Sequence, residues 1–160
     1  MRIRGKAFKF PDNIDTDVII PARYLIYQDP KILAKFAFES IRKDFYKETK
    51  KNGIIVAGKN FGSGSSREHA VLAIKGLGIK CVIAKTFSRI FFRNCINLGL
   101  VAVTLKETDL IKENDILEVD VKKGLVKNIT QKAEYKFNPY PDFLMQIIKK
   151  GGLLKWLTTK

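Results

Sequence analysis

The amino-acid sequence predicts a mixed α/β fold: a βαβαβ centre with β-rich flanks, in one domain. Three features carry that prediction. Wholly apolar runs recur as GIIVA, KCVIAK and LVAVT, short enough for buried strands and bounded by turn residues. The stretches between them place apolar residues at helical spacing and stop at glycine. Beyond residue 115 the segments shorten and alternate, the pattern of antiparallel strands.

Each element follows in order. Residues 3–10 alternate loosely and read as a strand ended by Pro11. PDNIDTDVIIPARYL comes next, a polar turn cluster (Asp12, Asn13, Asp15, Thr16, Asp17) running into apolar residues and Pro21. Acidic side chains this dense are locally odd in so basic a chain. Residues 30–50 carry apolar positions at helical spacing, with Asn52-Gly53 as the stop. The run 53–57 reads as a buried strand, then come the loop NFGSGSSREH and a helix over 66–75 that ends at Gly76 and Gly78. Residues 80–85 form a second strand, 88–97 a helix closed by Gly99, and 100–104 a third strand. Strand, helix, strand, helix, strand in so short a span calls for right-handed crossovers and parallel pairing. Residues 116–121, 124–128 and 134–137 follow as a small antiparallel section, with Lys123-Gly124 as a hairpin turn. An amphipathic helix over 141–150 is stopped by Gly151-Gly152.

Bulk composition bounds the function. With 160 residues and 46% hydrophobic content the chain has material for a real core. No apolar run approaches the roughly 20 residues of a membrane span. The opening MRIRGKAFKFPDN lacks the apolar core and cleavage site of a secretory signal, so a cytoplasmic location is the expectation. The net charge of +14 admits nucleic-acid binding, attraction for anionic substrates or acidic partners, or a lysine-rich surface of the thermophile kind. The lysines are spread along the chain and no nucleic-acid motif accompanies them, which favours surface solvation and attraction for anions. Cys81 lies in an apolar run and Cys95 in a helical pattern, so both read as buried free thiols. Two isolated thiols do not ligate a four-cysteine iron–sulfur cluster, and no metal site is expected on this chain.

The loop NFGSGSSREH is the chemically informative stretch. A strand running into a glycine-rich turn and then a helix presents backbone N–H groups at a positive helix end. Gly62 and Gly64 permit the turn and close approach of a ligand. Arg67 adds a planar fork suited to a carboxylate or phosphate. A plainer reading accounts for part of this: Ser65-Ser66-Arg67-Glu68 fits a capping box, with Ser65 as the cap and Glu68 reaching back. The cap explains neither the glycines and Ser63 nor a cation in the first helical turn. The loop lacks the Walker ending and the third glycine of a dinucleotide fingerprint. His69, the only histidine in the chain, sits badly for a triad base and reads as a partly buried first-turn residue.

GSGSSREH resembles the active-site loop of the aconitase superfamily's swivelling domain. The likeness extends to DNIDTDVIIPARYL before it and SRIFFRNCINLGL after it, in the expected order. The length and the shortage of cysteines match the stand-alone small subunit of the isopropylmalate isomerase and homoaconitase group. The resemblance implies one swivelling β/β/α-type domain over residues 1–160. It also implies a heterodimer or heterotetramer with a large subunit that carries a [4Fe–4S] cluster, leaving no cofactor on this chain. By that resemblance Ser65 corresponds to the catalytic base, Ser66 to its hydrogen-bonding neighbour and Arg67 to the ligand of a substrate carboxylate, with Gly62 and Gly64 shaping the loop. Asp17 aligns with an acid that orients a histidine of the large subunit; the plain alternative is an Asx-type turn residue.

In the same family the loop holding Tyr24-Leu25-Ile26-Tyr27 reads the substrate. Relatives that act on a third carboxylate carry an arginine near the position of Ile26, whereas Ile26 and Tyr27 here offer an apolar surface. This points to a small dicarboxylate with an isopropyl group, interconverted between its 2- and 3-hydroxy forms in leucine biosynthesis. Arg23 lies close enough to keep an anion in play, and the simpler alternative has YLIY packing into the core. Homoaconitase and citraconate- or dimethylmalate-type hydratases are the enzyme alternatives. A non-catalytic anion- or RNA-binding module is the alternative of another class.

Overall fold

The computed structural model describes residues 1–49 and 52–159. Its strands are β1 (Arg2–Lys9), β2 (Gly53–Ala57), β3 (Cys81–Ala84), β4 (Val101–Thr104), β5 (Ile116–Asp120), β6 (Leu125–Asn128) and β7 (Ala133–Lys136). The helices are α1 (Thr16–Ile19), α2 (Pro30–Ala34), α3 (Phe45–Thr49), α4 (Glu68–Gly76), α5 (Arg89–Leu98), α6 (Asp142–Lys149) and α7 (Leu153–Thr158). Short 3-10 turns occupy Ala22–Tyr24 and Thr108–Leu110.

All seven strands join one sheet in the order β4-β3-β2-β1-β5-β6-β7. Pairing is parallel from β1 to β4, with Lys6 opposite Gly53, Ile54 opposite Cys81 and Cys81 opposite Val101. It turns antiparallel at β5, where Ile3 faces Val119. The antiparallel section is therefore an extension of the parallel centre, with β1 as the shared strand.

Parallel strands buried on both faces need near-continuous apolar sequence, and β2 and β3 are buried at every position. Alternation then sorts their side chains. Ile55, Ala57 and Val82 join α2, α4 and α5 on one face, while Ile54, Val56 and Ile83 pack with α6 on the other. The crossover helices α4 and α5 thus share a face and hold the β2-to-β4 register. At the outer edge, the Tyr140 hydroxyl accepts from the Ala102 amide at 3.0 Å and donates to the Ala102 carbonyl. That satisfies one residue's pair of the backbone groups an edge strand leaves open.

The single helix predicted over 30–50 is not what forms, and its last residue, Lys50, lies outside the described residues. The chain instead makes α2, a run of turns, and α3. Phe38 and Asp44 adopt left-handed backbone (φ 59° and 58°), which interrupts helical hydrogen bonding. Burial explains the break. Phe38 reaches Phe10 at 4.5 Å and Phe45 at 5.6 Å between ring centroids, and its amide donates to the Ile19 carbonyl at 2.9 Å. Aromatic packing of this kind outweighs the modest local preference of the segment. Helix α7, beyond the Gly151-Gly152 stop, is an element the sequence reading lacks.

Candidate active site

The Gly-Ser loop leaves the carboxyl end of β2 and is laced to two other segments. On one side the Gly62 amide donates to the Ile14 carbonyl at 2.7 Å, and the Thr16 amide to the Ser63 carbonyl at 2.8 Å. On the other, the Phe61 amide donates to the Thr86 carbonyl and the Ser88 amide to the Phe61 carbonyl. These ties bring the DNIDTD segment and the start of α5 to the loop. The three motifs of the sequence therefore meet in space.

Backbone shape at the loop depends on glycine. Gly62 has φ +82°, and a Cβ there would stand 2.1 Å from Cγ of Phe91. Its missing side chain lets the loop press onto α5. Gly64, at φ +93°, would place a Cβ 3.3 Å from the Thr16 hydroxyl.

Past Gly64 the chain surfaces. Gly64, Ser65 and Ser66 are exposed, so the Ser65 oxygen is not enclosed by packed side chains. The expected capping box does not form. Helix α4 begins at Glu68 with Arg67 as its N-cap residue, and no side chain caps it. The Ser65 carbonyl accepts from the Thr16 hydroxyl at 3.0 Å and from the Arg67 amide at 2.9 Å. That tight turn leaves Ser65 outside the helix. The helix consequently starts two residues later than its predicted first residue, Ser66.

Arg67 is held from across the loop. Its Nη1 donates to Asp17 Oδ1 at 3.1 Å and to the Ile20 carbonyl at 3.2 Å. The Arg67 side chain is 17% exposed and that of Asp17 66%. The guanidinium beside Asp17, helped by the Ala22 amide, holds its carboxyl below the usual carboxylate value. The Asx-type cap belongs to Asp15, which accepts from the Val18 amide at 2.8 Å and starts α1. Asp17 is thus bound to the loop arginine, beyond serving as a turn residue. A cleft of about 370 Å³ opens beside it, lined in part by Val18, Pro21, Arg23 and Lys43.

The YLIY segment divides. Tyr24 stacks on Phe36 with ring centroids 4.0 Å apart, and Leu25 packs against the core. Ile26 stands 78% exposed and Tyr27 36%, so packing into the core accounts for the first pair only. Arg23 is engaged: it pairs with Glu39 and stacks over the Tyr24 ring at 4.7 Å. His69 lies in the first turn of α4, partly buried, and its Nε2 has no hydrogen-bond partner among the described residues.

Two contributors escape the sequence reading. Thr16, 2% exposed, fastens the loop through its amide and hydroxyl. Glu39 neutralises Arg23. The signal for Thr16 is the hydroxyl set between two acids in DTD; for Glu39, which is distant in sequence from Arg23, no local pattern exists.

No group of three or more His, Cys, Asp or Glu residues able to hold a metal occurs among the described residues. Cys81 and Cys95 are buried, and burial pushes both thiols far up, the opposite of what thiolate ligation needs. These residues do not fit a cluster site.

Comparison with known proteins agrees with the geometry. The family model described as the aconitase C-terminal domain matches residues 34–108. The chain is 56% identical over 152 residues to 3-isopropylmalate dehydratase small subunit 1 of Archaeoglobus fulgidus, covering 95% of this chain and 94% of that protein. It is 54% identical over 158 residues to the 3-isopropylmalate dehydratase small subunit of Caldicellulosiruptor saccharolyticus, covering 98% and 91%. The crystal structure of 3-isopropylmalate dehydratase from Methanocaldococcus jannaschii superposes with a TM-score of 0.94 at 45% identity, over 99% of this chain and 95% of that one. Aconitase X of Thermococcus kodakaraensis, at 12% identity and a TM-score of 0.54 over 86% and 91%, shares the fold alone.

Proposed function

Because the chain belongs to the family of 3-isopropylmalate dehydratase small subunits, we propose that it is the small subunit of a hydro-lyase of leucine biosynthesis. The enzyme interconverts 2- and 3-isopropylmalate through 2-isopropylmaleate, and residues 1–160 act as one swivelling domain within it. The observation that carries the site assignment is an exposed Ser65-Ser66 pair beside an arginine pinned from a separate segment by Asp17 and the Ile20 carbonyl.

Each residue has a physical task. Arg67 receives a substrate carboxylate in its remaining N–H groups, and anchoring of Nη1 keeps the fork oriented. Ser65 Oγ takes the proton from the carbon next to that carboxylate, with Ser66 as its hydrogen-bonding neighbour. A serine hydroxyl is a very weak acid, so the alkoxide needs strong electrostatic support. Loop amides and Arg67 provide it, most effectively once water is excluded. On the isolated chain the serines are open to solvent, so a covering large subunit, in a heterodimer or heterotetramer, completes the site. A [4Fe–4S] cluster held by that subunit would supply Lewis-acid assistance to departure of the hydroxyl.

Substrate choice follows from the neighbouring segment. Exposed Ile26, with Tyr27 beside it, gives an isopropyl group an apolar surface worth about 1–3 kcal/mol, whereas an unpaired buried carboxylate there costs several. Arg23 is already matched by Glu39 and stacked on Tyr24, which makes it a poor receiver for a third carboxylate. No helix among the described residues is long and apolar enough to cross a membrane, in keeping with a cytoplasmic place for the reaction.

The test is reconstitution. The chain alone should show no hydration of 2-isopropylmaleate, and addition of the cluster-loaded large subunit should give turnover. In a panel with citraconate and homoaconitate, the isopropyl substrate should show the highest kcat/KM. Turnover by the large subunit alone at the same rate would refute the proposal.

A further inference from the structure

A second concave feature lies at the opposite end of the sheet from the Gly-Ser loop. It is a cleft of about 860 Å³ at the amino ends of the parallel strands, floored by apolar residues such as Ile79 and Ile148. Arg2, Lys75, Lys80 and Lys149 line it, and no carboxylate residue does. Arg2 is compensated by Asp120 at 3.4 Å. Lys75 is half-buried and donates to the Leu98 carbonyl at 2.5 Å, the negative end of α5. Lys80 and Lys149 are exposed and take part in no ion pair among the described residues.

Some cations elsewhere are matched by carboxylates. Lys85 pairs with Asp109, Arg42 with Glu48 and Glu113, and Arg67 with Asp17. Around this cleft the surplus is left standing. Burial, and to a lesser degree the nearby Lys155, weakens the hold of Lys75 on its proton. A concave surface with an apolar floor and one sign of charge focuses field and attracts counter-ions.

We propose that the cleft formed by Lys75, Lys80 and Lys149 at the amino ends of the strands is an anion site, separate from the Ser65 loop, for a small multivalent anion. One charge would leave most of the surplus unmatched. A di- or triphosphate or a tricarboxylate can bridge several ammonium groups and rest its body on Ile79 and Ile148.

Calorimetric titration of the full 160-residue chain with inorganic pyrophosphate, citrate and acetate tests this. Saturable one-to-one binding of pyrophosphate or citrate is expected, weakening as ionic strength rises, with acetate at least about tenfold weaker. The tighter of the two multivalent ligands identifies phosphate or carboxylate as the natural chemistry. The surface double variant K80Q/K149Q should lose about tenfold or more in affinity with an unchanged circular-dichroism spectrum, while R67Q should bind like the parent. The proposal is overturned by absence of saturable binding, by acetate binding as tightly as pyrophosphate, or by affinity that survives K80Q/K149Q. Loss of binding in R67Q would overturn it too, by placing the anion at the catalytic loop; that outcome would leave the reading of Ser65 untouched.

Discussion

Replacing Asp17 by Asn separates the holding of Arg67 from the stability of the fold. The Asp17–Arg67 contact is 3.1 Å long, but the carboxylate is 66% exposed, so solvent screens it. Its contribution to folding should stay below about 1 kcal/mol, as for other surface pairs. The effect on turnover should be much larger. Without the carboxylate, Nη1 keeps only the Ile20 carbonyl, and displacement of a carboxylate clamp by a fraction of an ångström costs about 10- to 100-fold. D17N, reconstituted with the large subunit, should therefore lose about that factor in kcat/KM for 2-isopropylmalate while its urea midpoint barely moves. Asp17 titrates below its ordinary value of 3.8 when folded. The pair is accordingly intact above that ordinary value and is lost only as acid takes the pH down through the lowered one. The D17N deficit should then be constant from pH 6 to 8. A double-mutant cycle sharpens the test: in an R67Q background, D17N should cost little more. A full D17N penalty without Arg67 would refute the argument and assign Asp17 to another partner, such as a histidine of the large subunit.

Other substitutions probe the remaining links. I26R should lower isopropylmalate turnover and raise relative activity on a tricarboxylate in the substrate panel; an unchanged profile would remove the segment from substrate reading. G62A should destabilise the chain by about 1–3 kcal/mol in urea unfolding, because of φ +82° and the overlap with Phe91, and a stability equal to the parent would contradict the fit of loop to α5. Cys81 and Cys95, buried with their thiols pushed up, should resist iodoacetamide at pH 8 until the chain is unfolded. Rapid labelling of the native chain would show a more open core.

The parts of the fold legible in the sequence are those where local pattern and burial agree. GIIVA is a strand at its predicted bounds because every side chain in it is buried on one face or the other. The end of α5 was readable from Gly99, whose left-handed backbone (φ +80°) closes the helix. Residues 30–50 were misread because apolar spacing reports burial without direction. Phe38 is drawn to Phe10 and to the Ile19 carbonyl, both distant in sequence, and the helix gives way. The capping box failed for a related reason. Ser65 has the right spacing from Glu68, but Thr16, 49 residues away, claims its carbonyl and holds it outside the helix. Within the candidate site, the grouping of Ser65, Ser66 and Arg67 was visible as a motif. The binding of Arg67 by Asp17 and of Arg23 by Glu39 was not, since each depends on segments that meet only after folding.

The most direct measurement concerns the hydroxyl of residue 65. S65A, assembled with the cluster-bearing large subunit, should bind its partner as the parent does and lose about 10²- to 10⁴-fold in kcat. The same variant should fail to exchange the substrate's proton with solvent. Proton exchange and turnover at the parent's rate in a fully assembled S65A complex would contradict the assignment of Ser65 as the base.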